Sequence, residues 1–221
     1  SFPTRRSSDL RVLDVGCGIG GGDIFMADTY GVEVLGVDLS HNMIDIARER
    51  YGDSHPGVTF ALADMTRVEF PPASFDVIYS RDTLLHVADK EALFQKFLSW
   101  LKPGGKVLIS DYCATSEPFS DAFQAYIADR QYHLLDLDTY GLLFVKAGFD
   151  KVYVQDRTAQ FGRILESELE RLESIKDDYI SEFSEQDYRE IVDGWNAKIE
   201  RVSQGEQRWG LFQATKSTEQ D

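Results

Sequence analysis

The segment Val12-Leu13-Asp14-Val15-Gly16-Cys17-Gly18-Ile19-Gly20-Gly21 decides the fold of this chain. A short apolar run leads into a glycine-rich turn and then into a helical pattern, so the predicted order is strand, turn, helix. Glycine suits such a turn because the backbone can approach a bound nucleotide without an intervening Cβ atom. Since Gly16, Gly18 and Gly21 also match the loop of dinucleotide enzymes, the turn alone predicts a nucleotide site without identifying the nucleotide.

Short apolar runs alternate with longer helical patterns on both sides of this turn, which is typical of βαβ units and a mainly parallel sheet. Helices are expected at residues 20–30, 40–51 and 90–101, with a turn at 102–105 and an amphipathic helix within 163–193. We therefore expect an α/β fold with a mostly parallel seven-stranded sheet and helices on both faces. The predicted strands are Arg11 to Val15, Val32 to Val37, Val58 to Leu62, Phe75 to Tyr79, Lys106 to Ser110, and two later ones near Lys151 to Asp156 and Gln207 to Ala214.

Composition excludes several classes of protein. The 221 residues include 38 acidic and 23 basic side chains, a formal net charge of -15, so no basic field is available to gather nucleic acid or anionic lipid. No stretch approaches the roughly 20 apolar residues of a membrane span. Cys17 and Cys113 are not at metal or redox spacing, and we expect no metal site. A cytoplasmic location is predicted, without nucleic acid, stable membrane association or an obligate protein partner.

Three acids lie at the ends of three successive predicted strands: Asp14, Asp38 and Asp64. The carboxyl ends of parallel strands collect ligands, and Asp38 has the position to accept hydrogen bonds from a ribose. A carboxylate at Asp14 is unfavourable beside a pyrophosphate but favourable beside a cation. Asp64 can accept from an adenine amino group while Met65 packs on the ring. The set favours S-adenosyl-L-methionine, which leaves as S-adenosyl-L-homocysteine, over a nicotinamide cofactor, and a nicotinamide oxidoreductase is the less favoured alternative.

From about Arg11 to Lys216 the chain resembles the phosphoethanolamine N-methyltransferases, Rossmann-like class I methyltransferases that convert phosphoethanolamine to phosphocholine. The resemblance implies stepwise N-methylation of phosphoethanolamine and its mono- and dimethyl forms, for phosphatidylcholine synthesis. Two alternatives stay open: a methyltransferase of another small molecule, or an impaired fragment that only binds ligand. The matching segments are VLDVGCGIGGG (12–22), YSRDTLLH (79–86), LKPGGKVLISDYC (101–113), YIADRQY (126–132), DGWNAKI (193–199) and QRWGLF (207–212).

The resemblance also implies the roles of individual residues. Asp82 and His86 are expected to lie at the methyl acceptor as catalytic residues. The chemistry of histidine makes His86 the expected base that removes the proton of the amine, or the organiser of a water that acts as one. Arg130 and Lys198 are expected to neutralise the phosphate. The implied cofactor contacts are Asp14, Gly16, Gly18, Asp38, Leu39, Asp64, Met65 and Arg81, and the implied substrate contacts are Asp82, Tyr112, Tyr126, Arg130, Tyr132 and Lys198.

The first residues do not match the family. Its members have helices before the first strand, with a glutamine and a tyrosine that close over the cofactor. We therefore expect residues 1–9 to be a non-native or junction segment, 10–216 a methyltransferase domain, and 217–221 a C-terminal tail. The chain is expected to be either truncated at its N-terminus or the second catalytic domain of a tandem enzyme.

Overall fold

A computed structural model describes residues 10–52, 54–116 and 118–218. The predicted junction at 1–9 and the last three residues of the predicted tail lie outside this range. The strands are β1 (Arg11–Val15), β2 (Glu33–Asp38), β3 (Val58–Leu62), β4 (Phe75–Arg81), β5 (Leu101–Ala114), β6 (Asp150–Asp156) and β7 (Gln207–Thr215). The helices are α1 (Gly21–Tyr30), α2 (His41–Tyr51), α3 (Lys90–Trp100), α4 (Asp121–Arg130), α5 (Leu137–Ala147), α6 (Thr158–Ser174), α7 (Lys176–Glu182) and α8 (Glu185–Ser203), with a 3₁₀ turn at Leu84–His86.

The strands form one sheet in the order β3-β2-β1-β4-β5-β7-β6, and each pair along β3-β2-β1-β4-β5 is parallel. In β1 the residues after Arg11 are all buried, as expected of an apolar strand that is covered on both faces. Asp14 pairs with Gly36 on one side and with Tyr79 on the other. The expected α/β fold with a mostly parallel seven-stranded sheet is confirmed.

The turn predicted at residues 102–105 is wrong, because these residues belong to β5, which begins at Leu101. The pairing with β4 shifts between Phe75, opposite Leu101, and Val77, opposite Lys106. The extra residues therefore form a bulge, and Gly104 adopts a φ of 75° within it. A bulge absorbs residues without ending the strand.

The single amphipathic helix predicted within residues 163–193 is three helices, α6, α7 and α8. Helix α6 ends at Ser174, and the side chain of Ile175, expected on the apolar face, is 45% exposed. Helix α8 begins anew after Ser184, whose Oγ accepts a hydrogen bond from the N–H of Asp187 at 3.0 Å. A side-chain cap of this kind starts a new helix inside a continuous helical pattern.

The chain packs as two compact units. The first unit comprises the described parts of Ser1–Asp111, Asp138–Val154 and Leu211–Asp221, and the second comprises Tyr112–Leu137 and Gln155–Gly210. The core of the first unit contains fully buried side chains such as Leu13, Phe75 and Phe94. No helix within the described ranges is long and apolar enough to cross a membrane. The prediction of one domain over residues 10–216 is not tested by this division and stays a prediction.

Candidate functional site

The glycine loop of the first unit lies directly after β1 and is held against the end of β2. The N–H groups of Gly16 and Cys17 both donate to the carbonyl oxygen of Val37, at 2.8 and 3.1 Å. Gly16 has a φ of 81°, and a Cβ atom placed on it would lie 2.2 Å from Oγ1 of Thr83. The loop therefore requires glycine at this position both for its backbone conformation and for the close approach of Thr83.

Asp38 links the loop to helix α2. Its Oδ2 accepts from the N–H of Gly18 at 2.9 Å, and its Oδ1 accepts from the N–H of Ser40 at 2.8 Å. An ionised carboxylate has further lone pairs, so both bonds leave room for hydroxyl donors of a ribose. Leu39, the next residue, has a side chain that is 73% exposed. As predicted, Ser40 starts α2, and its Oγ accepts from the N–H of Met43.

Two buried acids lie beneath the loop, Asp14 at 4% and Asp23 at 0% exposure. Burial, followed by the charge of Asp23, raises the pKa of Asp14 well above its ordinary value, while Arg81 lowers it. Burial raises the pKa of Asp23 to about 7. Neither carboxylate oxygen of Asp23 has a hydrogen-bond partner within the described chain. A cation bound beside these carboxyls would lower their pKa values and favour their ionised forms, whereas a pyrophosphate would not, which fits an ammonium and sulfonium cofactor.

Asp64 and Met65 follow β3, next to β2 in the sheet. The Oδ1 of Asp64 accepts from both the N–H and the Oγ1 of Thr66, at 2.9 and 2.6 Å. These bonds with Thr66 lower the pKa of Asp64 and keep it ionised. Met65 is buried. The structure thus brings Asp14, Asp38, Asp64 and Arg81 to the carboxyl ends of four adjacent parallel strands, and their contacts with a cofactor stay a prediction.

Asp82 begins the segment that carries His86. It adopts a φ of 51°, a left-handed conformation that is uncommon for residues other than glycine. Two hydrogen bonds to Ser110 of β5 hold it there: its N–H donates to the Ser110 carbonyl at 2.8 Å, and its Oδ1 accepts from Ser110 Oγ at 3.2 Å. His86 ends the following 3₁₀ turn and is exposed. The expected acceptor residues of the first unit therefore lie on one tightly held segment.

A buried network under this segment was not predicted from the sequence. Asp111 is fully buried, and its Oδ1 accepts from the N–H of Leu85 at 3.2 Å while its Oδ2 accepts from Tyr140 Oη at 3.0 Å. Burial raises the pKa of Asp111 to about 7, and the charge of Lys90, itself 2% exposed, opposes that rise. The available signal was an acid just after the apolar run Val107 to Ile109 of β5, where an aspartate needs partners.

In the second unit, Lys198 lies among aromatic side chains. Its Nζ donates to Tyr112 Oη at 3.3 Å and lies 5.4 Å from the centre of the Tyr112 ring. The same Nζ lies 5.0 Å from the centre of the Trp195 ring. These distances are typical of cation–π contacts. Two of the predicted substrate residues, Tyr112 and Lys198, are therefore brought together.

Tyr126 and Tyr132 form a second aromatic pair in this unit, with ring centres 5.6 Å apart at 84°. Burial and the hydroxyl of Tyr126 raise the pKa of Tyr132 to about 12, and the charges of Arg130 and Arg201 oppose the rise. The side chain of Arg130 is 61% exposed, and its Nε lies 3.8 Å from Oδ2 of Asp129. The guanidinium carbon of Arg201 lies 3.7 Å from the centre of the Tyr126 ring. Arg201 was missed from the sequence, although its place three residues after Lys198 put it on the same helix face.

Comparison with known proteins gives these features a context. Residues 12–105 match the family model described as a methyltransferase domain. The chain is 55% identical over 206 residues to phosphoethanolamine N-methyltransferase 1 of Zea mays, covering 93% of this chain and 41% of the maize protein. It is 38% identical over 214 residues to the phosphoethanolamine N-methyltransferase of Plasmodium falciparum, covering 96% of this chain and 80% of that protein.

A solved structure is similar over nearly the whole chain. It is that of Haemonchus contortus phosphoethanolamine N-methyltransferase 2 in complex with phosphomonomethylethanolamine and S-adenosylhomocysteine, with a TM-score of 0.91 and 39% identity. The match covers 94% of this chain and 49% of the nematode chain. The chain thus spans less than half the length of the maize relative and about half that of the nematode one.

Proposed function

Because the chain belongs to the phosphoethanolamine N-methyltransferase family, we propose that it methylates the amine of phosphoethanolamine, and of its mono- and dimethyl forms, toward phosphocholine. The observation that carries this proposal is the set of cations and tyrosines in the second unit. Lys198 and Arg201 contact tyrosine rings there, in a chain of net charge -15. Because the overall field repels anions, a local group of cations and hydroxyl donors supports a phosphate-bearing substrate.

The first unit would hold S-adenosyl-L-methionine at the carboxyl ends of its strands. Asp14 would face the ammonium of the cofactor, Asp38 the ribose hydroxyls, and Asp64 the adenine amino group. When bound, the cofactor supplies an electrophilic methyl group on a sulfonium. The proposed contacts are Asp14, Gly16, Gly18, Asp38, Leu39, Asp64, Met65 and Arg81.

The phosphate end of the substrate would bind to the second unit. Lys198 and Arg130 supply positive charge, and the tyrosine hydroxyls supply hydrogen bonds. Because Tyr132 has a pKa of about 12, its hydroxyl stays protonated at neutral pH and can donate to a phosphate oxygen. Such charge-assisted hydrogen bonds are stronger than neutral ones. The proposed phosphate ligands are Tyr112, Tyr126, Arg130, Tyr132 and Lys198.

Asp82 and His86 would bind and deprotonate the amine end of the substrate. An alkyl amine with a pKa of about 10.4 is almost wholly protonated at neutral pH, and the protonated form has no lone pair with which to accept a methyl group. Asp82, fixed by Ser110, would hold the ammonium, and His86 would accept the proton that must leave. General-base assistance of this kind contributes about 10²- to 10⁴-fold in rate. We place this reaction in the cytoplasm, in the supply of phosphocholine for phosphatidylcholine.

The proposal is tested by methyl transfer from labelled S-adenosyl-L-methionine to phosphoethanolamine, with ethanolamine as the acceptor that lacks a phosphate. We expect transfer to phosphoethanolamine and little to ethanolamine. Equal transfer to both, or no calorimetric binding of phosphoethanolamine, would reject the substrate assignment. Binding of both ligands without transfer would instead indicate the ligand-binding fragment.

Two lysine variants provide a matched comparison in the second unit. Lys198→Ala removes the ammonium beside Tyr112 and is expected to weaken phosphoethanolamine binding by about 10-fold or more. Lys176 also lies over a tyrosine ring, 5.5 Å from the centre of Tyr188, but has no proposed role in the site. Lys176→Ala should therefore leave phosphoethanolamine binding unchanged.

A further inference from the structure

Helix α8 presents three donor-bearing side chains at a spacing of three residues: Trp195, Lys198 and Arg201. Residues three apart are neighbours on one helix face. Lys198 contacts the rings of Trp195 and Tyr112, and Arg201 stacks over Tyr126. All these residues belong to the second unit. The face therefore combines two cations with aromatic rings that fix their positions.

Arg201 has a defined orientation on this face. Its Nε donates to Gln207 Oε1 at 3.1 Å, while its guanidinium carbon lies 3.7 Å from the centre of the Tyr126 ring. With Nε committed to Gln207, the two terminal nitrogens are the groups that remain to donate elsewhere. A planar guanidinium offers paired donors that match two oxygens of a phosphate.

Two buried donors lack an acceptor in the described part of the chain, one on Trp195 of α8 and one on Gln207 of β7, next to Arg201. Gln207 is fully buried, and its Nε2 has no hydrogen-bond partner among the residues that the structure describes. Nε1 of Trp195 is unpartnered in the same part of the chain. Buried donors are normally satisfied in folded proteins. The donors of this face that are not fully buried are the cations of Lys198 and Arg201, and an anion with several oxygens would complement them.

The positive charge of Arg201 acts on Tyr132, which is one of the proposed phosphate ligands. Arg130 and, to a smaller extent, Arg201 oppose the rise in the pKa of Tyr132. The Arg130 side chain is mostly exposed, where solvent and salt screen its charge, whereas Arg201 is half-buried. A charge that is less screened interacts more strongly with a bound phosphate.

We propose that Arg201 is a further phosphate-binding residue of the acceptor site, held in place by the buried side chain of Gln207. This inference rests on the proposed function and adds a cation that the family resemblance did not supply. Arg201 donates through its terminal nitrogens, and Gln207 keeps the guanidinium in place through Nε.

The test is calorimetric binding of phosphoethanolamine and, separately, of S-adenosylhomocysteine to the chain and its variants. Arg201→Gln removes the charge and is expected to weaken phosphoethanolamine binding by about 10- to 100-fold, with S-adenosylhomocysteine affinity within about twofold of wild type. Arg201→Lys, which keeps the charge without the planar fork, should recover part of the loss. The loss should shrink at high salt. Arg189→Gln, on the same helix in an exposed ion pair with Glu185, is the control that should bind like wild type.

The outcomes separate this inference from the proposed function. If wild type does not bind phosphoethanolamine, the proposed function fails and this inference fails with it. If wild type binds and Arg201→Gln binds equally well, only the inference is wrong. If Arg201→Gln lost affinity equally for phosphoethanolamine and for S-adenosylhomocysteine, Arg201 would be a structural residue, and the inference would also be wrong. Should Arg201→Gln not fold, Gln207→Glu decides: a negative charge beside Arg201 should weaken phosphoethanolamine binding by about 10-fold, and unchanged binding overturns the inference.

Discussion

The backbone N–H of Leu85 donates to Oδ1 of Asp111 at 3.2 Å, so a buried carboxylate of β5 holds the 3₁₀ turn that ends at His86. The other oxygen of Asp111 accepts from Tyr140 Oη. Asp82, at the start of the same segment, is tied to Ser110, the residue before Asp111. The proposed base and the proposed ammonium ligand are thus both positioned by one end of β5.

Removing the Tyr140 hydroxyl is expected to lower the free energy of unfolding. The ring of Tyr140 stacks on Phe212 at 4.1 Å, and Tyr140→Phe keeps that packing while it deletes the donor to Asp111. Because Asp111 is buried, the loss should be about 1–3 kcal/mol, measured by urea unfolding at neutral pH. Tyr153→Phe, at a position that is 56% exposed, should change the value by less than about 0.5 kcal/mol. Equal effects of the two changes would argue against a stabilising role for the Tyr140 hydroxyl.

Gly16→Ala is expected to abolish cofactor binding and to destabilise the fold. The new Cβ atom would lie 2.2 Å from Thr83 Oγ1 at a φ of 81°, so the loop or the Asp82 segment must move. Gly21→Ala is the matched control, because a Cβ atom there meets nothing within 4 Å and the residue begins α1. Gly21→Ala should leave the stability of the fold unchanged or raise it slightly. S-adenosylhomocysteine titration and thermal unfolding measure both effects, and similar behaviour of the two variants would contradict the prediction.

Asp23→Asn should remove a pH dependence of stability. The pKa of Asp23 is about 7 in the folded chain, against an ordinary value of 3.8, so folded protein retains a proton that unfolded protein releases. The free energy of unfolding should therefore fall as pH rises from about 4 to 7 and level off above that range. Asn carries no charge, so the variant should be more stable than wild type at pH 8, by up to about 4 kcal/mol.

Unfolding of the Asp23 variant across pH 4–8 needs a control that carries the same chemical change. Asp150→Asn, at an exposed position of β6, serves that purpose and should follow the wild-type curve. If the free energy of unfolding of Asp23→Asn showed the same pH dependence as wild type, Asp23 would not retain a proton in the folded chain.

His86→Ala should lower turnover of phosphoethanolamine by about 10²- to 10⁴-fold, because proton removal from the amine loses its base. Affinity for S-adenosylhomocysteine should stay within about twofold, since His86 has no proposed cofactor contact. His41→Ala removes an exposed histidine that pairs with Asp45 on α2 and should change neither quantity. Parallel losses of turnover and affinity in His86→Ala would indicate a structural histidine instead.

Local patterns predicted the sheet well. The bounds of β1 and β3 agree with the predicted ones, and Ser40 starts α2 as expected. Apolar runs specify buried parallel strands because both faces of such strands are covered, and this requirement is visible in a few consecutive residues. The bulge in β5 was mistaken for a turn because a Pro-Gly-Gly segment is typical of turns, and only pairing with β4 shows otherwise.

The buried polar residues could not be predicted in the same way. Asp23, Asp111 and Arg201 were passed over. The strand that holds Asp111 and the helix spacing of Arg201 are visible in the sequence, but the burial and the partners of these side chains are not. Arg130, by contrast, was matched by motif and lies exposed on the last turn of α4. The family resemblance identifies residues by their position in a motif. The burial of a side chain and the strength of its electrostatic interactions depend instead on segments that are far apart in the chain.

The amino-acid sequence by itself determined the seven strands in their order, the helices α1, α2 and α3, the glycine loop, and the acids at the carboxyl ends of β1, β2 and β3. These features depend on hydrophobic periodicity and on backbone conformation, which are local properties. Only the tertiary structure decided that Asp38 holds Gly18, that Asp111 supports the turn before His86, and that Arg201 lies over Tyr126. Each of these contacts joins residues from different elements, and its strength depends on burial, which arises only when those elements pack together.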